Sequence, residues 1–94
     1  MHAASADISL ATPSRYMNRL AKHFEHRVSV TRDAQTATVD FPDAPCTMHA
    51  TDTHLVIRIE AASRGQVEKL CEVIERHLRQ VASQETFGIE WRNR

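Results

Sequence analysis

The chain has 94 residues, a length that favours one small domain because its halves would be too short to bury a core. Its 12 Lys and Arg residues balance 12 Asp and Glu residues, and 41% of the chain is hydrophobic. The charge balance lacks the basic patch that is typical of proteins that bind nucleic acids or anionic lipids. The hydrophobic fraction is too high for a disordered chain.

The sequence predicts a cytoplasmic protein. No apolar run approaches the roughly 20 residues that span a bilayer. The start, MHAASADISLA, lacks the basic and apolar regions of a signal peptide. Cys46 and Cys71 both fall on predicted core faces, where a reduced thiol is typical of that compartment. We therefore expect two free thiols rather than a disulfide.

The first predicted elements are a strand and a helix. Ile8 and Leu10 alternate with polar residues, which is typical of a half-buried strand. Thr12 then supplies an N-cap and Pro13 a first helical residue. Apolar residues recur at helical spacing after them, so we expect the first helix to run from about Pro13 to His26.

Four stretches of alternating apolar and polar side chains come next, which is the pattern of half-buried strands. The connections between them are short, and this favours an antiparallel meander because parallel strands need long crossovers. Pro42 and Pro45 are expected to bracket the loop between the second and the third stretch. The four stretches are RVSVTR, TATVDF, CTMHAT and HLVIRIEA.

The last part of the chain predicts a second helix and a closing strand. Ser63 and Gln66 have the spacing of a capping box, so the helix is expected from there to about Ala82. The segment TFGIEWR alternates and closes the chain as a strand. The expected fold class is therefore α+β, a two-layer domain in which one antiparallel sheet carries both helices on one face, in the order β-α-β-β-β-β-α-β.

The opposite face of the sheet is expected to be polar and free of helices. By alternation it includes Thr38, Asp40, His49, Arg58 and Glu60. Antiparallel sheets tolerate a solvated face, and charges of both signs can equally pair across a two-fold axis. We therefore expect either a solvated surface or an interface, with a homodimer as the first partner to consider.

The segment KHFEHR brings two histidines to the predicted end of the first helix. His23 and His26 are spaced as neighbours on a helix surface, where they could share a metal ion. A zinc site needs three or four ligands, however, and His49 is expected on the far face of the sheet. The interpretation that the pattern favours is structural: Lys22 and the histidines complement the helix macrodipole at its C-terminal end.

Three other histidines carry weaker signals. His54 begins a strand, and His77 lies beside the apolar stripe of the second helix. His2 belongs to a terminus that is expected to fray. We expect each of them to be a surface or boundary residue rather than a ligand.

The residues give little support to an enzyme. Cys46 follows a proline and opens a strand, so partial exposure is expected, but His49 points to the opposite face of that strand. Glu60 and Glu90 could meet on the open face of the sheet as a pair of carboxylates. Arg58 lies on the same face, and cross-strand ion pairs are the more ordinary expectation. An enzyme therefore ranks below a binding module and below an interaction domain.

Three long stretches combine specific motifs in a specific order. They are ATPSRYMNRLAKHFEHRVSV, TVDFPDAPCTMHA and VEKLCEVIERHLRQVASQETFGIEW. They contain a Ser-Arg-Tyr helix start, a Lys-His-aromatic-x-His helix end, an Asp-Phe-Pro turn and a late Glu-x-Trp strand. In these features the chain resembles the bacterial family catalogued as domain of unknown function 2218. It departs from the family pattern at QVASQETF, where a more aromatic and basic stretch is expected.

The resemblance implies a bacterial protein with no assigned activity and no known cofactor. Members also occur fused to, or beside, siderophore-interacting flavoreductases, so it implies an accessory role in iron handling and such a flavoreductase as a partner. Among the family-like positions, Arg15, Lys22, His23 and His26 are those expected to reach a ligand. The family-like positions are Ser14, Arg15, Tyr16, Lys22, His23, His26, Asp40, Phe41, Pro42, Glu90 and Trp91.

Overall fold

The computed structural model describes residues 1–93. Within them, two helices and six strands follow each other in the predicted order β-α-β-β-β-β-α-β, and the strands form one antiparallel sheet. The elements are β1 (His2–Ser9), α1 (Pro13–Phe24), β2 (Ser29–Arg32), β3 (Thr36–Phe41), β4 (Ala44–Ala50), β5 (His54–Ala61), α2 (Arg64–Val81) and β6 (Arg92–Asn93).

One face of the sheet is apolar, and both helices cover it. The strands lie in the order β2-β3-β4-β5-β1-β6. In β4, Cys46 and Met48 are buried, whereas Thr47 and His49 are exposed. The neighbouring strands β3 and β5 repeat this alternation in register, so the buried side chains form one surface. The largest buried side chains on this surface and on the helices are Ile8, Met17, Leu20, Val39, Leu55, Ile57, Ile59, Val67, Ile74 and Leu78.

The first helix ends at Phe24, earlier than the predicted His26. The amides of Arg27 and Val28 each donate to the Phe24 carbonyl at 3.0 Å, and these bonds turn the chain from α1 towards β2. His26 therefore lies in the turn and not on the helix. At the other end of α1, Thr12 takes the N-cap position without a side-chain capping bond.

The second helix has the predicted cap and the predicted length. The Ser63 hydroxyl accepts a hydrogen bond from the amide of Gln66 at 3.2 Å, and Ala82 is the residue at the C-cap. The Gln66 side chain donates to the Pro42 carbonyl at 3.3 Å, so only one half of the capping box forms. Within residues 1–93, neither helix is long and apolar enough to cross a lipid bilayer.

The first strand is longer than the sequence predicts. It begins at His2, which pairs with Ala61 of β5, so the expectation of a frayed start is wrong. The short connection between β3 and β4 also differs from the expectation, because Pro45 lies inside β4 opposite Asp40. The β4–β5 ladder begins only at Cys46, and a proline is tolerated at the start of a strand.

The last strand is much shorter than predicted, although its place in the chain order is correct. Of the described residues in this last segment, only Arg92 and Asn93 pair with β1. The preceding residues are tied to α2 by side chains instead: Arg79 donates to the Phe87 carbonyl at 3.3 Å, and Trp91 Nε1 donates to Glu75 Oε1 at 3.2 Å. The segment therefore packs its apolar side chains on the core without forming a strand ladder.

The N-cap of α2 provides a test of this fold. We expect Ser63→Ala to lower the free energy of unfolding by about 1 kcal/mol, because the Gln66 amide loses its partner at the helix start. Thr12→Ala is the matched control, since Thr12 holds the same position on α1 without a capping bond. Urea unfolding followed by circular dichroism measures both. Equal losses in the two variants would contradict the assignment.

Candidate functional site at the ends of the two helices

Four aromatic rings meet where the C-terminal end of α1 lies against α2. The ring centroids of His23 and His77 are 4.7 Å apart, with their planes at 56°. Phe24 lies against both, with centroids 5.7 Å from His23 and 5.0 Å from His77. Phe41 of β3 meets Phe24 edge-on at 5.1 Å. We call these four residues the ring cluster.

A groove of about 490 Å³ lies beside the ring cluster. Besides the four rings, its wall contains Val28, Val73 and two exposed arginines, Arg27 and Arg76. We call this concave surface the histidine groove. Its floor is therefore aromatic and aliphatic, and its charged groups are guanidinium groups. Pockets that combine an apolar floor with a few polar groups are the usual form of small-molecule sites.

The ring orientation of His77 is fixed by its own helix. Its Nδ1 lies 2.6 Å from the carbonyl oxygen of Val73, one helical turn back. A carbonyl oxygen only accepts, so Nδ1 carries the hydrogen and the neutral ring keeps its lone pair on Nε2. His77 is half-buried and His23 is exposed. The groove thus offers one imidazole of defined tautomer and a second that solvent reaches.

The structure places the sequence-predicted ligand residues at different sites. His23 lines the histidine groove, whereas His26 is exposed in the turn after α1 and Lys22 is exposed on α1. Arg15 lines a separate small cavity of about 230 Å³ near the C-terminal end of α2. The expectation that His23 and His26 both lie on the first helix is wrong, because α1 ends between them.

Sequence reasoning missed His77 as the partner of His23. Periodicity placed it correctly beside the apolar stripe of α2, but periodicity within one helix does not say which element covers that position. Sequence reasoning missed Arg76 as a groove residue for the same reason. Among the described residues 1–93, no group of three or more His, Cys, Asp and Glu side chains is arranged to hold a metal ion. A metal at the two imidazoles would need further ligands from outside the protein.

The outer face of the sheet carries the predicted polar residues. Thr38, Asp40, His49 and Arg58 are exposed, and Glu60 is half-buried. A shallow depression of about 410 Å³ crosses this face. The ion pair found here joins Arg58 Nε to Glu60 Oε1 at 2.9 Å, so it runs along β5 and not across strands as expected. The two residues lie on the same face because they are two positions apart in one strand.

The two cysteines are free and buried. Cys46 has no exposed surface, so the expectation of partial exposure is wrong: it lies on the helix-facing side of β4, between two other strands. Burial raises the pKa of the Cys46 thiol to about 12. Burial, followed by the nearby Glu75, raises the pKa of Cys71 to about 11. Both thiols are therefore protonated at neutral pH and are weak nucleophiles.

Comparison with known proteins finds a family model and solved structures that are similar to nearly the whole chain. A family model described as "Uncharacterized protein conserved in bacteria (DUF2218)" matches residues 5–92. The NMR structure of PA4090 from Pseudomonas aeruginosa is similar with a TM-score of 0.82 and 25% identity, over 98% of this chain and 96% of that chain. The de novo designed protein Foldit4 has a TM-score of 0.59 and 14% identity, over 99% of this chain and 94% of that chain, and this likeness concerns the fold alone. No curated protein matches the chain.

Burial of the thiols predicts their reactivity. We expect the native protein to react with Ellman's reagent far more slowly than the protein unfolded in guanidinium chloride, because both cysteines are buried and both thiols are protonated. Cys71 is 8% exposed and Cys46 is 0% exposed, so Cys46→Ala should retain the faster of the two native rates. A fast native reaction that disappears in Cys46→Ala would contradict the buried position of this residue.

Proposed function

The chain belongs to this family of uncharacterised bacterial proteins, and we propose that it is a non-catalytic ligand-binding or accessory module whose site is the histidine groove. The observation that carries the proposal is the contact of His23 and His77, with ring centroids 4.7 Å apart at the wall of a concave surface. A core histidine pair would be covered. This pair lines an opening and leaves His23 exposed.

The chemistry of the groove favours binding over catalysis. Its titratable groups are two histidines and two arginines, and the protonated Cys46 thiol lies on the covered face of β4. Covalent catalysis needs a nucleophile within hydrogen-bond reach of a base, and among the described residues that line the groove there is no Ser, Thr or Cys. An imidazole pair on an aromatic floor is suited to hold a ligand.

We place this module in siderophore–iron utilisation in the bacterial cytoplasm, with a siderophore-interacting flavoreductase as its partner. The support is chemical. Imidazole nitrogens bind iron and other transition metals, and the Nε2 lone pair of neutral His77 is free of its helix bond. Since residues 1–93 provide no set of three or more ligands there, a metal held at the groove would keep positions for a chelating molecule.

A thermal-shift series tests the site. We expect one of Zn²⁺, Ni²⁺, Fe²⁺, haem or a ferric siderophore to raise the melting temperature, because a ligand that binds only the folded state stabilises it by mass action. His23→Ala and His77→Ala should each reduce the rise, and the double variant should abolish it. The experiment measures the melting temperature of each variant against ligand concentration.

His26→Ala is the matched control for this series. It removes the same side chain from an exposed turn residue outside the groove, so the ligand-induced rise should be unchanged. An equal loss in His26→Ala would mean that the ligand binds the exposed histidines without a specific site. Absence of a rise with every ligand would contradict the proposed link to metals and siderophores.

A second candidate function is a homodimer formed through the outer face of the sheet. The observation that favours it is that both helices cover the other face, so the polar face is exposed across β3, β4 and β5. An isologous interface brings each residue of such a face against a symmetry-related copy. Arg58 and Glu60 are the pair of opposite charges available to such contacts.

Charge reversal tests the dimer. We expect wild type to sediment as a dimer and Arg58→Glu to shift it towards monomer, because two carboxylates at the interface would then repel each other and their copies. The double change Arg58→Glu/Glu60→Arg restores opposite charges and should restore the dimer. A wild-type monomer at all concentrations in sedimentation equilibrium would exclude this function.

A further inference from the structure

We infer that the histidine groove selects a planar aromatic anion, such as an aryl carboxylate. The inference rests on the proposed function, because it names the ligand class of the same site. Three features of the groove lead to it: the sign of its charge, the nature of its floor, and its size.

The groove carries positive charge although the chain as a whole is neutral. Arg27 and Arg76 lie in its wall, and none of the residues that line it is an Asp or a Glu. Within residues 1–93 the ion pairs are Arg32–Glu25, Arg58–Glu60 and Arg79–Glu75, so neither guanidinium group of the groove belongs to an ion pair there. Guanidinium groups recognise carboxylates through paired hydrogen bonds.

Two acidic residues close in sequence to the arginines of the groove are engaged elsewhere. Glu25, two residues before Arg27, pairs with Arg32 at 2.9 Å. Glu75, the residue before Arg76, accepts hydrogen bonds from Arg79 and from the indole of Trp91. The fold thus directs Glu25 and Glu75 to other partners. Glu72, one helical turn before Arg76, lines a separate cavity together with Arg76, and within residues 1–93 it forms no ion pair with it. The positive charge remains available to an anion from solution.

The floor of the groove favours a flat ring. Phe24, Phe41 and His77 present aromatic rings, and the centroids of Phe41 and His77 lie 5.1 Å and 5.0 Å from that of Phe24. Aromatic rings attract each other in edge-to-face and offset arrangements, beyond the area that they bury. A volume of about 490 Å³ accommodates a compact ligand of one or two fused rings. An aliphatic anion could pair with the arginines, but it would lack a ring to pack against the aromatic floor.

Three matched probes separate charge from shape. Naphthoate has both the ring and the charge, naphthamide has the ring alone, and decahydronaphthoate has the charge without the flat ring. In an NMR titration, we expect naphthoate to shift the amide signals of Val73 and His77. Naphthamide and decahydronaphthoate should each bind more weakly than naphthoate. Raising the salt concentration should weaken the binding of naphthoate and leave the binding of naphthamide unchanged.

Arginine variants locate the charge. Arg76→Gln and Arg27→Gln should each weaken the binding of naphthoate by roughly 1.5- to fivefold, the range for one charged contact at a surface, and leave the binding of naphthamide unchanged. Arg15→Gln is the matched control. It removes an exposed arginine of α1 that lines the separate cavity near the C-terminal end of α2, so the affinity for naphthoate should not change. All three positions are exposed, so the variants are expected to fold.

The inference and the proposed function fail in distinguishable ways. If naphthoate and naphthamide bind equally, if the shifts fall outside the groove, or if naphthoate does not bind, the aromatic-anion inference is overturned. The proposed function still stands in those cases when a metal or siderophore stabilises the protein through His23 and His77. If that thermal shift is also absent, both are overturned.

Discussion

The strict alternation of side chains in β3, β4 and β5 is the constraint on which the remaining structure depends. It collects the apolar residues of the meander on one face, and two amphipathic helices cover that face. Residues 1–93 contain no third helix or second sheet that could cover the polar face. The two candidate surfaces follow from this arrangement. One is the open polar face, and the other is the place where the helix ends leave the core incompletely covered.

Phe24 connects the core to the histidine groove. It is 6% exposed and contacts Phe41 of the sheet and His77 of α2, so three elements meet at one ring. Because α1 ends at this anchored residue, the adjacent His23 is held in the last helical turn beside His77. The packing that fixes the helix thereby fixes the wall of the groove. A site supported by packed residues in this way is already organised before a ligand arrives.

Local sequence patterns predict the elements of this protein better than their contacts. Alternation and the Ser63 cap indicate the meander and α2, because these signals lie within a few residues of each other. The final segment alternates too, yet its bonds to Arg79 and Glu75 of α2 replace the expected ladder. The His23–His77 contact joins two helices across a long stretch of chain, and only their packing on the sheet brings the rings together. Spacing alone therefore pointed to His26.

The fold itself carries no information about the ligand. A de novo designed protein with 14% identity has the same overall arrangement, so the layout of helices and strands can form without this chain's side chains. Folding equally gives no reason for two guanidinium groups that form no ion pair within residues 1–93, since like charges repel each other. Carboxylates are close in sequence, because Glu25 lies two residues before Arg27 and Glu75 one residue before Arg76. In a neutral chain, this concentration of positive charge over an aromatic floor is the feature that packing leaves unexplained and that an anionic ligand would explain.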